Sequence, residues 1–223
     1  LEVWLADLDV PPEELPALAA VLDDAEHARV ERLRFEQLRR RFVVAHALVR
    51  LVLQERVGGE VRFVLGEHGK PALAEGGVHF NLSHAGGRAL LAVSDQPVGV
   101  DIEQLRPLSN LDAMAERVMS PAERCAYEEA ADRTQSFFDL WVRKEAVLKA
   151  TGEGISRDLR ALDVATCGLG VVPLDVGDGY AAAVASLGDV DVRSRPLPSR
   201  WPSVGEGALP ARQARPAGNP PVR

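Results

Sequence analysis

The chain opens on an alternation. Val3 and Leu5 are apolar, with Trp4 between them, which predicts a strand within residues 1–9 that Pro11-Pro12 stops. A short helix is expected from Pro16 to Leu22, and Asp23-Asp24 caps a longer one over 25–34. From Arg41 to Arg56, residues Phe42, Ala45, Leu48, Val49, Val52 and Leu53 fall on one helical stripe that Gly58-Gly59 closes. Strands are predicted at Val61–Leu65, at His79–Leu82 and Ala89–Ser94 around the turn Ala85-Gly86-Gly87, and at Val98–Ile102, whereas Gly66–Gly77 reads as a loop. Two further helices, Ser120–Ala131 and Phe137–Thr151, precede strands expected near 161–166, 171–176 and 180–186.

This order predicts an α+β fold with antiparallel sheets and packed helices, in two similar lobes, 1–104 and 105–192. Residues 193–223 hold seven of the fifteen prolines and read as a disordered Pro/Arg-rich tail.

The hydrophobic fraction of 46% is enough for a real core, and no apolar run is long enough to cross a membrane. The first residues lack a basic n-region and an apolar h-region, so no signal peptide is expected. Cys125 and Cys167 lack metal-site spacing, and a reducing, cytoplasmic setting is the default. Net charge is −7, and residues 1–192 carry 20 basic against 32 acidic side chains, which argues against a general nucleic-acid binder. An Arg-rich stretch over 27–56 is the exception, and by itself it is weak support for nucleic-acid binding.

The lysines change the picture most. Only Lys70, Lys144 and Lys149 stand among 26 basic residues. In a chain that otherwise uses Arg, a retained Lys draws notice as a compact point charge or a proton donor. Two of them lie in Trp141-Val142-Arg143-Lys144-Glu145-Ala146-Val147-Leu148-Lys149, where helical spacing puts Trp141, Glu145 and Lys149 on one face. The pair Glu145–Lys149 also suits an ordinary i,i+4 salt bridge. In Val98-Gly99-Val100-Asp101-Ile102-Glu103, alternation sends the apolar residues to the core and sets Asp101 and Glu103 on the opposite, open face. The two carboxylates then stand roughly 6–7 Å apart along the strand, with Gly99 leaving room beside them. Such a pair suits a hard divalent cation with substrate phosphates, and equally a solvated strand face. Gly69-Lys70-Pro71 fixes an ammonium in a shaped loop. Phe80-Asn81-Leu82-Ser83-His84 ahead of a Gly turn presents donors for an anionic oxygen, with His84 also readable as a structural histidine. Ser83 and His84 are adjacent on a strand and no G-x-S-x-G elbow is present, which disfavours hydrolase chemistry.

In order and spacing, these four segments resemble the motif set of the Sfp-type 4′-phosphopantetheinyl transferases, and the resemblance runs from about Val3 to about Ala185. It implies transfer of the phosphopantetheine arm of coenzyme A to a serine of apo acyl or peptidyl carrier proteins, with release of adenosine 3′,5′-bisphosphate. It implies Mg2+ held by Asp101, Glu103 and Glu145; Asp101, Glu145 and Lys149 as the catalytic set; and Glu145 as base for the carrier serine, directly or through a water. Lys149 would assist the leaving phosphate, and Lys70, Ser83, His84 and Lys149 would hold coenzyme A. The stretch Arg29–Arg41 resembles the family's adenosine 3′-phosphate region, so Arg29 and Arg41 join that set. Ser120-Pro121-Ala122-Glu123 resembles a further family segment and doubles as a helix-capping box. A monomer of two pseudo-symmetric lobes, with the site at the seam, is implied. The alternatives are a non-catalytic carrier-binding relative and another Mg-dependent nucleotide-using transferase.

Overall fold

The computed structural model describes residues 1–201 apart from 67, 68, 154–157, 189, 196 and 198–200, and nothing beyond 201. The first half runs β1 (Glu2–Asp7), α1 (Leu15–Ala19), α2 (Asp24–Arg32), α3 (Glu36–Val57), β2 (Phe63–Leu65), β3 (Pro71–Leu73), β4 (His79–Ala85) and β5 (Arg88–Ser94). The second runs β6 (Val98–Gln104), α4 (Leu111–Val118), α5 (Pro121–Glu128), α6 (Arg133–Thr151), β7 (Leu169–Pro173) and β8 (Tyr180–Leu187), followed by a two-residue strand β9 (Arg193–Ser194).

Two sheets carry the molecule, ordered β4-β5-β1-β9 and β6-β8-β7. Leaving out β9, the two orders correspond: β1 and β6 open each half, a long helix follows, and a closing antiparallel hairpin returns beside the opening strand. This is the twofold repeat expected of the fold class, although no sequence repeat announces it. The sheets divide at residues 95–97, before the 104/105 boundary expected from the sequence, because β6 hydrogen-bonds to β8 along its whole length. Each sheet buries one face under helices, as with Trp4, Leu91 and Val93 beneath α3, and Ala181, Ala183 and Ala185 beneath α6. The remaining faces pack on each other through Val3, Leu90 and Ala92 on one side and Val98, Val100, Ile102, Ala182 and Val184 on the other. The layers are therefore helix, sheet, sheet, helix, and the seam has an apolar core of its own.

Several elements differ from expectation for physical reasons. α3 begins at Glu36, five residues early, and is buried almost all round from Val43 to Leu53 rather than along one stripe. Its outer side is covered by α2, which is held by the buried Arg50 guanidinium bonded to Asp23 and to Glu26. Asp23 caps α2 as expected, and Gly58 and Gly152 end α3 and α6 at φ +70° and +75°. β3 forms inside the stretch expected to be a loop, and α4 was not legible. The strand expected at 161–166 is a run of turns whose carbonyls at Leu159 and Leu162 accept from Lys144. The segment expected to be disordered docks where it is described. Arg193 and Ser194 pair in parallel with β1, and Trp201 is buried in the first-lobe core; the rest of that expectation lies outside the described residues.

Candidate active site

β6 alternates as expected, with Val98, Val100 and Ile102 in the seam core. Its other face is not open to solvent, however, for α6 lies directly on it. A Cβ at Gly99 would stand 2.1 Å from the Ala146 carbonyl oxygen and 2.3 Å from the Ala150 nitrogen. Only glycine lets the helix backbone approach this closely, and that approach brings Glu145 and Lys149 over Asp101.

Asp101 is 5% exposed. Its Oδ1 accepts from Lys149 Nζ at 2.6 Å and from Ser83 Oγ at 2.8 Å, while Lys149 also donates to Ser83 Oγ at 3.0 Å and the Val100 carbonyl at 3.2 Å. The triangle joins β4 of the first lobe to β6 and α6 of the second. Asp101 Oδ2 and Glu145 Oε1 are buried without a hydrogen-bond partner. Burial pushes the Glu145 carboxyl pKa up, with the charges of Asp101 and Glu103 adding to the rise and Lys149 opposing it. Two buried carboxylate oxygens without donors are costly unless a cation completes them. Asp101 and Glu145 therefore fit Mg2+, which commonly takes one or two carboxylates and leaves its remaining positions to phosphate and water. Glu103, the third expected ligand, accepts from Arg106 Nη1 at 3.1 Å instead. Among the described residues no three His, Cys, Asp or Glu side chains gather as a metal group, so the expected three-carboxylate set is not assembled.

Lys70 does not join this triangle. Its ammonium donates to the Val98 carbonyl at 2.9 Å and to the Lys149 carbonyl, and burial pushes its pKa down. It thus ties the β2–β3 hairpin to the start of β6 and the end of α6. Asn81 accepts from the Val100 N–H at 2.8 Å. Side chains from the first lobe therefore satisfy the backbone edge of β6 where no strand pairs with it. Beside Lys70 lies a cavity of about 420 Å³ lined by Pro71, Phe80, Pro97, Ala150 and Thr151 among others, large enough for part of a small-molecule ligand.

His84 reaches solvent but is crowded by protein on its other sides. That crowding pushes its pKa down, as do its neighbours His46, Lys149 and Arg41. Arg41 is held bidentately by Asp9 at 2.8 and 2.6 Å, against the Gly87 turn. Arg29 lies 5.5 Å over the Phe42 ring, which stacks on His46 at 3.8 Å between centroids. His84, Arg41 and the Arg29–Phe42–His46 stack form a basic rim beside the triangle.

Lys144 points away from all of this. It is fully buried, pairs with Glu123 at 2.6 Å and donates to the carbonyls of Leu159 and Leu162. Glu123 in turn closes the Ser120 capping box and accepts from the Val164 N–H. Both residues are structural.

Residues 97–190 match the 4′-phosphopantetheinyl transferase superfamily. The chain is 39% identical over 175 residues to the 4′-phosphopantetheinyl transferase HetI of Nostoc sp., covering 74% of this chain and 73% of that protein. It is 32% identical to the 4′-phosphopantetheinyl transferase psf-1 of Bacillus pumilus, covering 80% and 78% of the two chains. To the 4′-phosphopantetheinyl transferase Sfp of Bacillus subtilis it is 27% identical over 83% and 84%. With that likeness spread over both lobes, the chain belongs to the 4′-phosphopantetheinyl transferase family and is an enzyme of that class. Among the described residues no helix is long and apolar enough to cross a membrane.

Proposed function

We propose that the chain transfers the 4′-phosphopantetheine group of coenzyme A to a serine hydroxyl of an apo carrier protein, at the lobe seam and with Mg2+. The observation that carries this reading is the pair of partnerless carboxylate oxygens, Asp101 Oδ2 and Glu145 Oε1, beside the Lys149 ammonium. Asp101 and Glu145 would hold Mg2+, which would supply neutralisation of the pyrophosphate charge.

The protein's own residues do the rest. His84 and the basic rim with Arg29 and Arg41 hold the terminal phosphate, and the cavity beside Lys70 receives the nucleoside end. Glu145, directly or through a water, takes the proton from the carrier serine as its oxygen attacks phosphorus. The phosphorus–oxygen bond to the leaving phosphate breaks, and Lys149 stabilises and protonates that oxygen. Positioning and electrostatics do most of the work, as suits phosphoryl transfer. The topological repeat within one chain supports a monomer, and two free cysteines suit a reducing compartment.

The test is release of adenosine 3′,5′-bisphosphate from coenzyme A, followed by chromatography with and without an apo carrier and Mg2+. Release that requires both is the expected result. Consumption of coenzyme A without transfer to carrier overturns the reading.

A further inference from the structure

The Ser83 hydroxyl is engaged by protein on two sides. It donates to Asp101 Oδ1 at 2.8 Å and accepts from Lys149 Nζ at 3.0 Å. Both bonds cross the seam, and the residue is 8% exposed. Two residues earlier on the same face of β4, Asn81 accepts from the N–H of Val100, the residue before Asp101. The two bonds set the position of β6 at Val100 and then the rotation of the carboxylate at Asp101. With Oδ1 held by Ser83 and Lys149, Oδ2 is the oxygen left without a partner.

We propose that Ser83 is a positioning residue, its hydroxyl locking the Asp101 carboxylate and the Lys149 ammonium together across the seam so that Asp101 Oδ2 stays presented for a divalent cation. This rests on the function proposed above. A hydroxyl engaged on both sides by protein has little left for a phosphate oxygen.

Ser83→Ala removes the lock, and Ser83→Thr keeps a hydroxyl. Binding of Mn2+ as the probe ion is measured by calorimetry and electron spin resonance. Binding of adenosine 3′,5′-bisphosphate is measured separately, without metal. A hydrogen bond to a charged group supports an expectation of about tenfold weaker Mn2+ binding in Ser83→Ala, with the bisphosphate affinity within about twofold of wild type and Mn2+ binding restored in Ser83→Thr. Bisphosphate binding that falls about tenfold while Mn2+ binding holds makes Ser83 a phosphate contact and overturns the proposal. So does a Ser83→Ala protein in which neither affinity moves. Should Ser83→Ala fail to fold, Ser83→Cys takes its place under the same criteria. If wild type itself binds no Mn2+, the metal reading of the site fails. If wild type binds it and Ser83→Ala binds it equally, only the role of Ser83 falls.

Discussion

Gly99→Ala tests how the site is built. The added Cβ would meet the Ala146 carbonyl oxygen at 2.1 Å, the Ala150 nitrogen at 2.3 Å and the Lys149 carbonyl carbon at 2.8 Å. All three are backbone atoms of α6, so no side-chain rotation relieves the clash. To reach even 3.0 Å, the helix and strand must part by at least about 0.9 Å. Overpacking of this kind costs about 1–3 kcal/mol and sometimes more. The displaced helix carries Glu145 and Lys149, and a misplacement of about 1 Å at a reacting centre costs about a hundredfold in rate. Urea unfolding and carrier-loading rates at a temperature where the variant stays folded measure the two effects. The expected result is a loss of at least about 1 kcal/mol together with about a hundredfold slower turnover. Gly59→Ala, where a Cβ meets nothing within 4 Å, is the silent control. A Gly99→Ala enzyme with wild-type stability and rate refutes the close-approach argument.

Three further outcomes follow from the same geometry. Lys144→Met leaves Glu123 buried without its counter-ion, and urea unfolding is expected to show a loss of about 3–5 kcal/mol; a change under about 1 kcal/mol contradicts the structural role. Lys149→Arg is expected to keep coenzyme A binding and lose most turnover, since a guanidinium is larger than the ammonium that fits among Asp101, Ser83 and Val100 and does not give up its proton; wild-type turnover reduces Lys149 to a fixed charge. Free His84 has a lowered pKa, and a bound phosphate dianion raises it, so between the two values binding takes up a proton at His84 and tightens as pH falls. Calorimetry of adenosine 3′,5′-bisphosphate in buffers of different ionisation enthalpy should show that uptake in wild type and a smaller one in His84→Gln; equal uptake in both removes His84 from the phosphate site.

The elements that sequence made legible are those fixed by short-range rules. Asp23 and Ser120 cap helices through their own side chains, Gly58 and Gly152 end them, and β6 alternates. What sequence hid depends on partners far along the chain. Gly99 reads from sequence as leaving room beside Asp101 and Glu103, and the room belongs to the backbone of α6. Asp101 was placed on an open face because a strand shows its alternation and not what covers it. The lysine bias singles out three positions, and their ammonium groups stand in three different surroundings. Lys149 sits in the carboxylate cluster, Lys70 ties the seam through two carbonyls, and Lys144 neutralises a buried glutamate. Scarcity draws notice to a lysine and does not say what it faces. Residues 193–201 read as disordered on proline content, yet a two-residue strand and one buried indole dock the described part of the segment.

The central claim is that the Asp101–Glu145–Lys149 cluster at the seam drives transfer of the phosphopantetheine arm to a carrier serine. Its most direct test is the intact mass of apo carrier proteins after incubation with coenzyme A, Mg2+ and either wild type or Asp101→Asn, a variant that keeps side-chain size and one acceptor oxygen while losing the charge and the second acceptor. The account predicts that wild type adds the arm once per carrier, that a carrier lacking the acceptor serine gains nothing, and that Asp101→Asn is slower by about a thousandfold. A folded Asp101→Asn enzyme that loads carriers at the wild-type rate would contradict it.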